Sequence, residues 1–375
     1  MDIQIKEATT GKDRSLFLKL PYSLHSRHEL WVPPLRMREK KYIDPGKNIH
    51  IHYSDTVCYL AFADGRPVGR IMGIINRKLN EIWNDPHARF CSFECINNRE
   101  AAAALLGEVE SWSKARNMER LVGPLGFSNQ DPQGFLIEGF DQRSSIGTIY
   151  NYEYIPTLMD ECGYTKEVDY VTYNIPIPET IPPLYEKIQD RVKNRTAVKM
   201  LEFTSKKEAR PWLSTILSFM NETYSGIYGF LPLSEEIIRK TARTYYEIMD
   251  PNFLKVIVDE KGNIVSFIFG IKDITGGFQK ANGKLLPFGY FQIKSTQKKS
   301  KRLDLLLGAI KKEYRGKGLN TLMAIAMIKS AHHAGISYAD SHHELESNNM
   351  VQAEMKRLGG SIYKRHRVYR KLLGS

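Results

Sequence analysis

Hydrophobic and polar positions along this chain follow two rhythms, one of period two and one of helical period. Ile3–Ala8 alternates as a strand, and Lys12–Ser26 has the spacing of a helix. Thr56–Ala63 and Arg66–Asn76 alternate on either side of Asp64-Gly65, which predicts a hairpin with a tight turn. Ala88–Ile96 predicts another strand, and Ala101–Arg116, preceded by Asn97-Asn98-Arg99-Glu100, a helix with an N-cap. Leu121–Pro124 is strand-like, a loop covers 126–142, Tyr154–Cys162 is a short helix stopped at Gly163, and Tyr164–Ile177 is a strand. Four prolines in the nine residues Ile175–Pro183 mark a linker, because proline donates no ladder hydrogen bond and fits poorly inside helix or central sheet. Beyond it the pattern predicts helices at Leu184–Lys193, Lys206–Tyr224 and Glu235–Met249, the last capped by Ser234. Strands are predicted at Lys199–Phe203, Leu254–Asp259, Asn263–Asp273, Pro287–Lys294, Leu303–Ile310 and Ile336–Ser341. Asn348 is expected to cap a helix ending near Gly359, and Ile362–Leu372 closes the chain as a strand.

The pattern repeats. Tyr59–Ile75 and Val256–Lys272 align without gaps, Gly65 falling on Gly262 and Gly73 on Gly270. Near the two ends Gly163 falls on Gly359 and Tyr173 on Tyr369, whereas the middles differ in length, so each copy carries its own insertion. The expected architecture is therefore α/β with mixed, mostly antiparallel sheets, in two tandem domains, 1–178 and 179–375.

Composition adds limits. The charge of +12 favours an anionic partner, and the excess is concentrated in the basic loop Lys294–Arg302 and the tyrosine-interleaved segment Lys356–Lys371. No apolar run is long enough to span a bilayer and the first residues carry no apolar leader, so a cytoplasmic protein with no membrane partner is expected. The four cysteines have no CxxC spacing and read as reduced thiols. His332, His333, His342 and His343 lie as adjacent pairs that point apart, so no metal site is expected.

The most informative stretch is Leu303–Lys329: apolar strand, charged turn with Gly316 and Gly318, apolar helix. Glycines at such a turn let a ligand approach backbone N–H groups, the helix start adds partial positive charge, and Arg315 and Lys317 add full charges, which together make an anion site in outline. No Rossmann fingerprint or P-loop is present. The segment GAIKKEYRGKGLNTLMAIAM instead resembles the strand–turn–helix of the acyl-coenzyme A N-acyltransferase (GNAT) superfamily, with Arg315-x-x-Gly318-x-Asn320 at its signature. Asn348–Gly360 is similar to that superfamily's late helix. Two positions depart: Asn320 stands where a small residue is usual, and Met355 where a tyrosine often protonates the leaving thiolate, so no general acid is carried over.

The resemblance implies tandem GNAT-like domains of which only the second holds coenzyme A. Acetyl-CoA or another acyl-CoA would be the co-substrate, contacted by Arg315, Gly316, Lys317, Gly318, Leu319, Asn320 and Asn348. Gly308, Ala309 and Ile310 would splay from the neighbouring strand and offer a backbone N–H to the thioester carbonyl. The expected activity is N-acyl transfer, acetyl first among the groups considered, to a small-molecule or peptide amine. Glu344 or His342, at the end of the next strand, would take the amine's proton, alternation placing Tyr338, Asp340, His342 and Glu344 on one face. Tyr224, Tyr228 and Phe230 are candidates to line the acceptor cleft. Two other readings stand beside the enzyme: a non-catalytic acyl-CoA-binding or structural protein, and an RNA or aminoacyl-tRNA-handling protein, the latter motivated by the charge.

Overall fold

The first half of the chain contains β1 (Ile3–Glu7), α1 (Gly11–Leu24), α2 (Arg36–Tyr42), β2 (Ser54–Ala63), β3 (Arg66–Asn76), α3 (Arg77–Trp83), β4 (His87–Cys95), α4 (Arg99–Lys114), β5 (Arg120–Gly123), β6 (Phe135–Glu138), α5 (Tyr154–Glu161) and β7 (Thr165–Pro176). The second contains α6 (Pro183–Arg195), β8 (Lys199–Glu202), α7 (Lys206–Thr223), α8 (Glu235–Ile248), β9 (Leu254–Val258), β10 (Ile264–Lys272), α9 (Thr275–Ala281), α10 (Gly289–Lys299), β11 (Arg302–Ile310), α11 (Leu319–His333), β12 (Tyr338–Asp340), β13 (Glu344–Leu345), α12 (Asn349–Arg357) and β14 (Ser361–Leu372). This computed structural model describes residues 2–195 and 197–374.

One 14-stranded sheet runs through the molecule in the order β1-β2-β3-β4-β5-β14-β7-β12-β11-β10-β9-β8, with β13 added to β7 and β6 to β14. The repeat is visible in it. Each half supplies a meander, then a strand–helix–parallel-strand crossover (β4-α4-β5 and β11-α11-β12), then a helix and a long closing strand. Gly163 and Gly359 each end the helix before that strand in the left-handed conformation, φ +79° and +82°. The closing strands are exchanged: β14 lies against β5 of the first half, while β7 lies against β12 of the second, and the two pair antiparallel at the centre. The proposed boundary at 178/179 falls in the connection from β7 to α6, yet the halves share one sheet.

Helices cover the sheet through apolar faces. Leu105 and Val109 of α4 press onto β3 where it carries glycine, and a Cβ at Gly69 would lie 2.7 Å from Leu105 Cδ1. Leu319, Leu322 and Met323 of α11 pack with Ile257 and Val265 of β9 and β10. Between the halves sits a buried polar cluster. Asp340 accepts hydrogen bonds from Ser145 Oγ (2.6 Å) and the Tyr363 hydroxyl, Lys364 Nζ donates to Ser145 Oγ (2.9 Å), and Arg302 bridges Asp304 (2.7 Å) and Asp273 (2.9 Å). The Ser145 hydrogen bonds to Asp340 and Lys364 cross from one half to the other and favour one mutual orientation of the two.

Three local expectations are corrected. The segment 287–294, expected as a strand, lies in helix α10 from Gly289 onward, and so does most of the expected basic loop Lys294–Arg302: its aromatics face solvent rather than a neighbouring strand. Pro176 is the last residue of the central strand β7, opposite Tyr338, where a missing donor is tolerated at a strand end. Within the expected loop 126–142, Phe135–Glu138 forms β6 because β14 offers it a partner.

Candidate active site

β11 and β12 run parallel only over Arg302–Asp304, opposite Tyr338–Asp340. Beyond Asp340 the chain leaves β11. Ser341 N–H donates to Tyr173 O (3.0 Å), His342 turns through φ +59°, and Glu344-Leu345 then pairs with β7 as β13. A wedge opens between the second half of β11 and β13. Gly308 lines it with backbone alone: its N–H donates to the Tyr224 hydroxyl (3.3 Å), and that hydroxyl donates to Gly308 O (3.0 Å). Both polar groups of this peptide therefore face away from β10. The carbonyl of Ala309 accepts from Ser266 Oγ (2.9 Å), and Ile310 joins the apolar cluster beneath α11.

Glu344 sits at the wedge without a hydrogen-bond or ion-pair partner among the described residues. Burial pushes its carboxyl up to about 8. Burial also raises the Tyr224 phenol, with the nearby Glu344 charge adding to the effect. His342 goes elsewhere. The left-handed turn breaks the expected alternation, its N–H donates to Asp340 Oδ1 (2.6 Å), and its Nε2 pairs with Ile146 O (2.7 Å). Asp340 itself is held in the polar cluster between the halves. Of the four residues expected on one face, Glu344 alone is placed by these contacts at the wedge. Of the three aromatic candidates, Tyr224 reaches β11, Tyr228 donates to Glu167 Oε1 (3.0 Å), and buried Phe230 supports the Tyr224 ring edge-on.

The strand leads into the glycine turn. Gly316 and Gly318 are left-handed, φ +74° and +86°, and Gly318 is the N-cap of α11 with no side chain capping the helix. The first turn of α11 thus presents its N–H groups, and the positive end of the helix dipole, to a cavity of about 580 Å³. Gly316, Lys317, Gly318 and Asn320 line it, joined by Arg191 of α6 and Arg357 of α12. Arg315 is bent back onto Ile310 O (Nε–O 3.2 Å), and Leu319 is fully buried, contributing only its place at the helix start. Asn320 does not project freely: its amide donates to Glu354 Oε1, and Arg357 holds the same carboxylate at 2.8 Å. Asn348 caps α12 by accepting from Val351 N–H (3.4 Å) and is not among the residues lining the cavity. Met355 packs against the cluster containing Tyr173 and Ile175.

Arg191 and Arg357 were not singled out by the sequence. Arg357 lies in the late helix and in the basic segment Lys356–Lys371, whereas Arg191, on a polar helix after the linker, carries no local mark. Among the described residues no group of three His, Cys, Asp or Glu side chains is arranged to hold a metal, and no helix is long and apolar enough to cross a membrane.

A parallel strand pair that parts after three residues occurs in both halves, the closing strands are exchanged, and in the second half a glycine turn and an uncapped helix follow; this is the tandem GNAT fold. The chain shares it with a tandem GNAT protein from the clavulanic acid biosynthesis pathway (TM-score 0.54, 12% identity, covering 100% of this chain and 99% of that one). It shares it also with a GCN5-related N-acetyltransferase from Sphaerobacter thermophilus (TM-score 0.51, 11% identity, 100% and 96%). Among curated proteins it is similar to the bacterial ceramide synthase of Caulobacter vibrioides (strain NA1000 / CB15N), 24% identical over 386 residues, 99% of this chain and 98% of that protein. Protein YghO of Escherichia coli (strain K12) is 23% identical over 371 residues, covering 96% and 93%. No protein-family model matches the chain.

Proposed function

We propose that this chain transfers an acyl group from acyl-CoA to an amine, in the wedge between β11 and β13. The observation that carries the reading is that one strand runs from the Gly308 backbone, hydrogen-bonded to the Tyr224 hydroxyl rather than to a neighbouring strand, into the turn before the uncapped start of α11, which Lys317, Arg191 and Arg357 flank. The turn fits a pyrophosphate, for which convergent N–H groups and cations are the ordinary recognition chemistry. Acyl-CoA supplies an activated thioester. The chain's own groups supply the rest. The Gly308 N–H, released from the Tyr224 hydroxyl, is a donor for a carbonyl oxygen that gains negative charge. Glu344 is a base whose raised pKa suits removal of an ammonium proton. The Tyr224 hydroxyl, within hydrogen-bond reach of Gly308, is the group that gives a proton to a leaving thiolate, a role that Met355, whose thioether carries no ionisable proton, cannot fill.

The likeness to a ceramide synthase supports a fatty acyl donor and a long-chain amine, since ceramide is a fatty amide of an amino alcohol. A panel of acyl-CoA donors, acetyl to palmitoyl, with short polar and long-chain amines tests this by thiol release. Turnover with the long pairs is expected; turnover confined to acetyl and polar amines would overturn the substrate assignment. Binding without turnover for every pair would favour a non-catalytic acyl-CoA-binding protein. That second reading draws on Met355 and on the Tyr224 hydroxyl that occupies the Gly308 N–H.

A further inference from the structure

Where the first half joins β3 to β4 through α3 alone, the second half inserts α9 and α10 between β10 and β11. Neither the fold nor the proposed chemistry accounts for the outer surface of this insertion. Leu286, Phe288, Tyr290 and Phe291 are 80%, 70%, 53% and 68% exposed, four large apolar or aromatic side chains within six residues. Monomeric soluble surfaces rarely gather such groups without use. The inward side of α10 is ordinary: Gly289 and Ile293 are buried, and a Cβ at Gly277 of α9 would lie 2.4 Å from Ile293 Cα. The exposed aromatics are therefore not a misplaced core.

The charge around them is one-sided. Residues 274–301 contain six lysines and no aspartate or glutamate. None of the six forms an ion pair with a described residue. Helical spacing puts Phe291, Ser295 and Lys299 in one line along α10, from the aromatic end to a basic cleft of about 270 Å³ lined by Lys280, Ser295, Lys299 and Lys301. The start of α2 extends the surface. Arg36 donates to Asn282 O (Nε–O 3.3 Å) just ahead of the apolar tip, and Met37 beside it is also exposed.

We propose that the α9–α10 insertion is an interfacial anchor that seats this chain on an anionic lipid bilayer. Leu286, Phe288, Tyr290 and Phe291 enter the boundary between headgroups and acyl chains. The exposed Lys284, Lys298 and Lys299 meet headgroup phosphates, and the cleft beside them receives one such group. Aromatic side chains at one end of a helix with lysines along its outer face match the two demands of a bilayer surface, apolar burial and negative charge. A second copy of the chain would bring like charge against like. This revises the expectation of no membrane partner, which considered only a spanning segment.

Co-sedimentation tests the proposal on the full chain, with vesicles of phosphatidylcholine alone and of phosphatidylcholine mixed with phosphatidylglycerol. Binding to the mixed vesicles is expected to be at least about tenfold tighter and to weaken with salt. Phe288→Asp with Phe291→Asp, and separately Lys284→Glu with Lys298→Glu and Lys299→Glu, should each reduce it about tenfold or more. Circular dichroism checks that these exposed substitutions leave the fold intact. In Phe288→Trp, which keeps the apolar contact, indole emission should shift to the blue on mixed vesicles. Equal binding to both vesicle types, unchanged binding of the variants, or a dimer in sedimentation analysis that the Phe288→Asp/Phe291→Asp variant abolishes would each overturn the proposal. None of these readouts depends on acyl transfer.

Discussion

The two halves build the same strand–turn–helix junction and use it in opposite ways. β4 and β11 are both 9 residues long, and each runs parallel to its partner for three pairs before parting from it. In the first half the parting is filled. Leu125 N–H donates to Phe90 O (2.8 Å), and Phe93 is buried edge-on to Phe90 and Phe135. The helix that follows is closed by its own cap, Asn98 Oδ1 accepting from Ala101 N–H at 2.7 Å. With the strands aligned end to end, Gly308 stands in the place of Phe93, and Gly318 ends a turn that no side chain caps. The duplicated backbone provides the opening in both halves. A candidate site arises only where side chains are withheld from it.

The largest expected effect contrasts the two aligned positions. Phe93→Ala should lower stability by about 3–5 kcal/mol in chemical denaturation, because it empties a packed aromatic cluster. Gly308→Ala should stay within about 0.5 kcal/mol of wild type, since a Cβ there meets nothing closer than 3.5 Å, while slowing acyl transfer. A large loss of stability from Gly308→Ala would break the contrast. Next, Glu344→Gln should reduce turnover roughly 100-fold or more with acyl-CoA binding unchanged. In wild type, turnover should climb with pH through about 8, where the buried carboxyl ionises, and the substitution should remove that slope. The sign for stability is opposite. A carboxyl raised from its ordinary 4.5 to about 8 favours folding in its protonated form, and that contribution is lost as pH rises between those values. Thermal melts of Glu344→Gln should lack this decline.

Gly316→Asp should weaken acyl-CoA binding roughly 100-fold in calorimetry, by placing a carboxylate among the groups that receive phosphate. Both glycines are left-handed, so a side chain strains the turn at either, but at Gly316 a Cβ meets nothing within 4 Å, whereas one at Gly318 would also sit 2.6 Å from Val192; a Gly316→Ala control separates the strain from the added charge. Unchanged affinity would separate the turn from the cofactor. The smallest effect lies in the other junction: Asn98→Ala should cost about 1 kcal/mol of stability by opening the cap of α4, and should leave acyl-CoA binding as it was.

The local pattern was legible wherever one residue's neighbours in sequence are also its neighbours in space. The hairpins, the helix caps at Ser234 and Asn348, the glycine turn and the repeat all belong to this class, since 2- and 3.6-residue periods and left-handed glycines are read within a few positions. Glu344 is a candidate by its place after a strand. His342 shared that place but not its outcome, because a positive φ at one residue breaks the alternation on which the expectation rested.

What the sequence determined by itself was therefore the kind of unit, its duplication, and the half that keeps its glycines. What only the tertiary structure decided was which side chains meet there. The exchange of β7 and β14 rests on pairing across almost two hundred residues, which no local pattern encodes. Arg191 and Arg357 reach the turn because α6 and α12 are packed beside it, and Tyr224 reaches Gly308 because α7 ends over the wedge. The strand expected at Pro287–Lys294 is absent for the same reason: an alternating run becomes a strand only when the fold offers an edge to pair with, and here Phe288, Tyr290 and Phe291 face outward at the start of a helix.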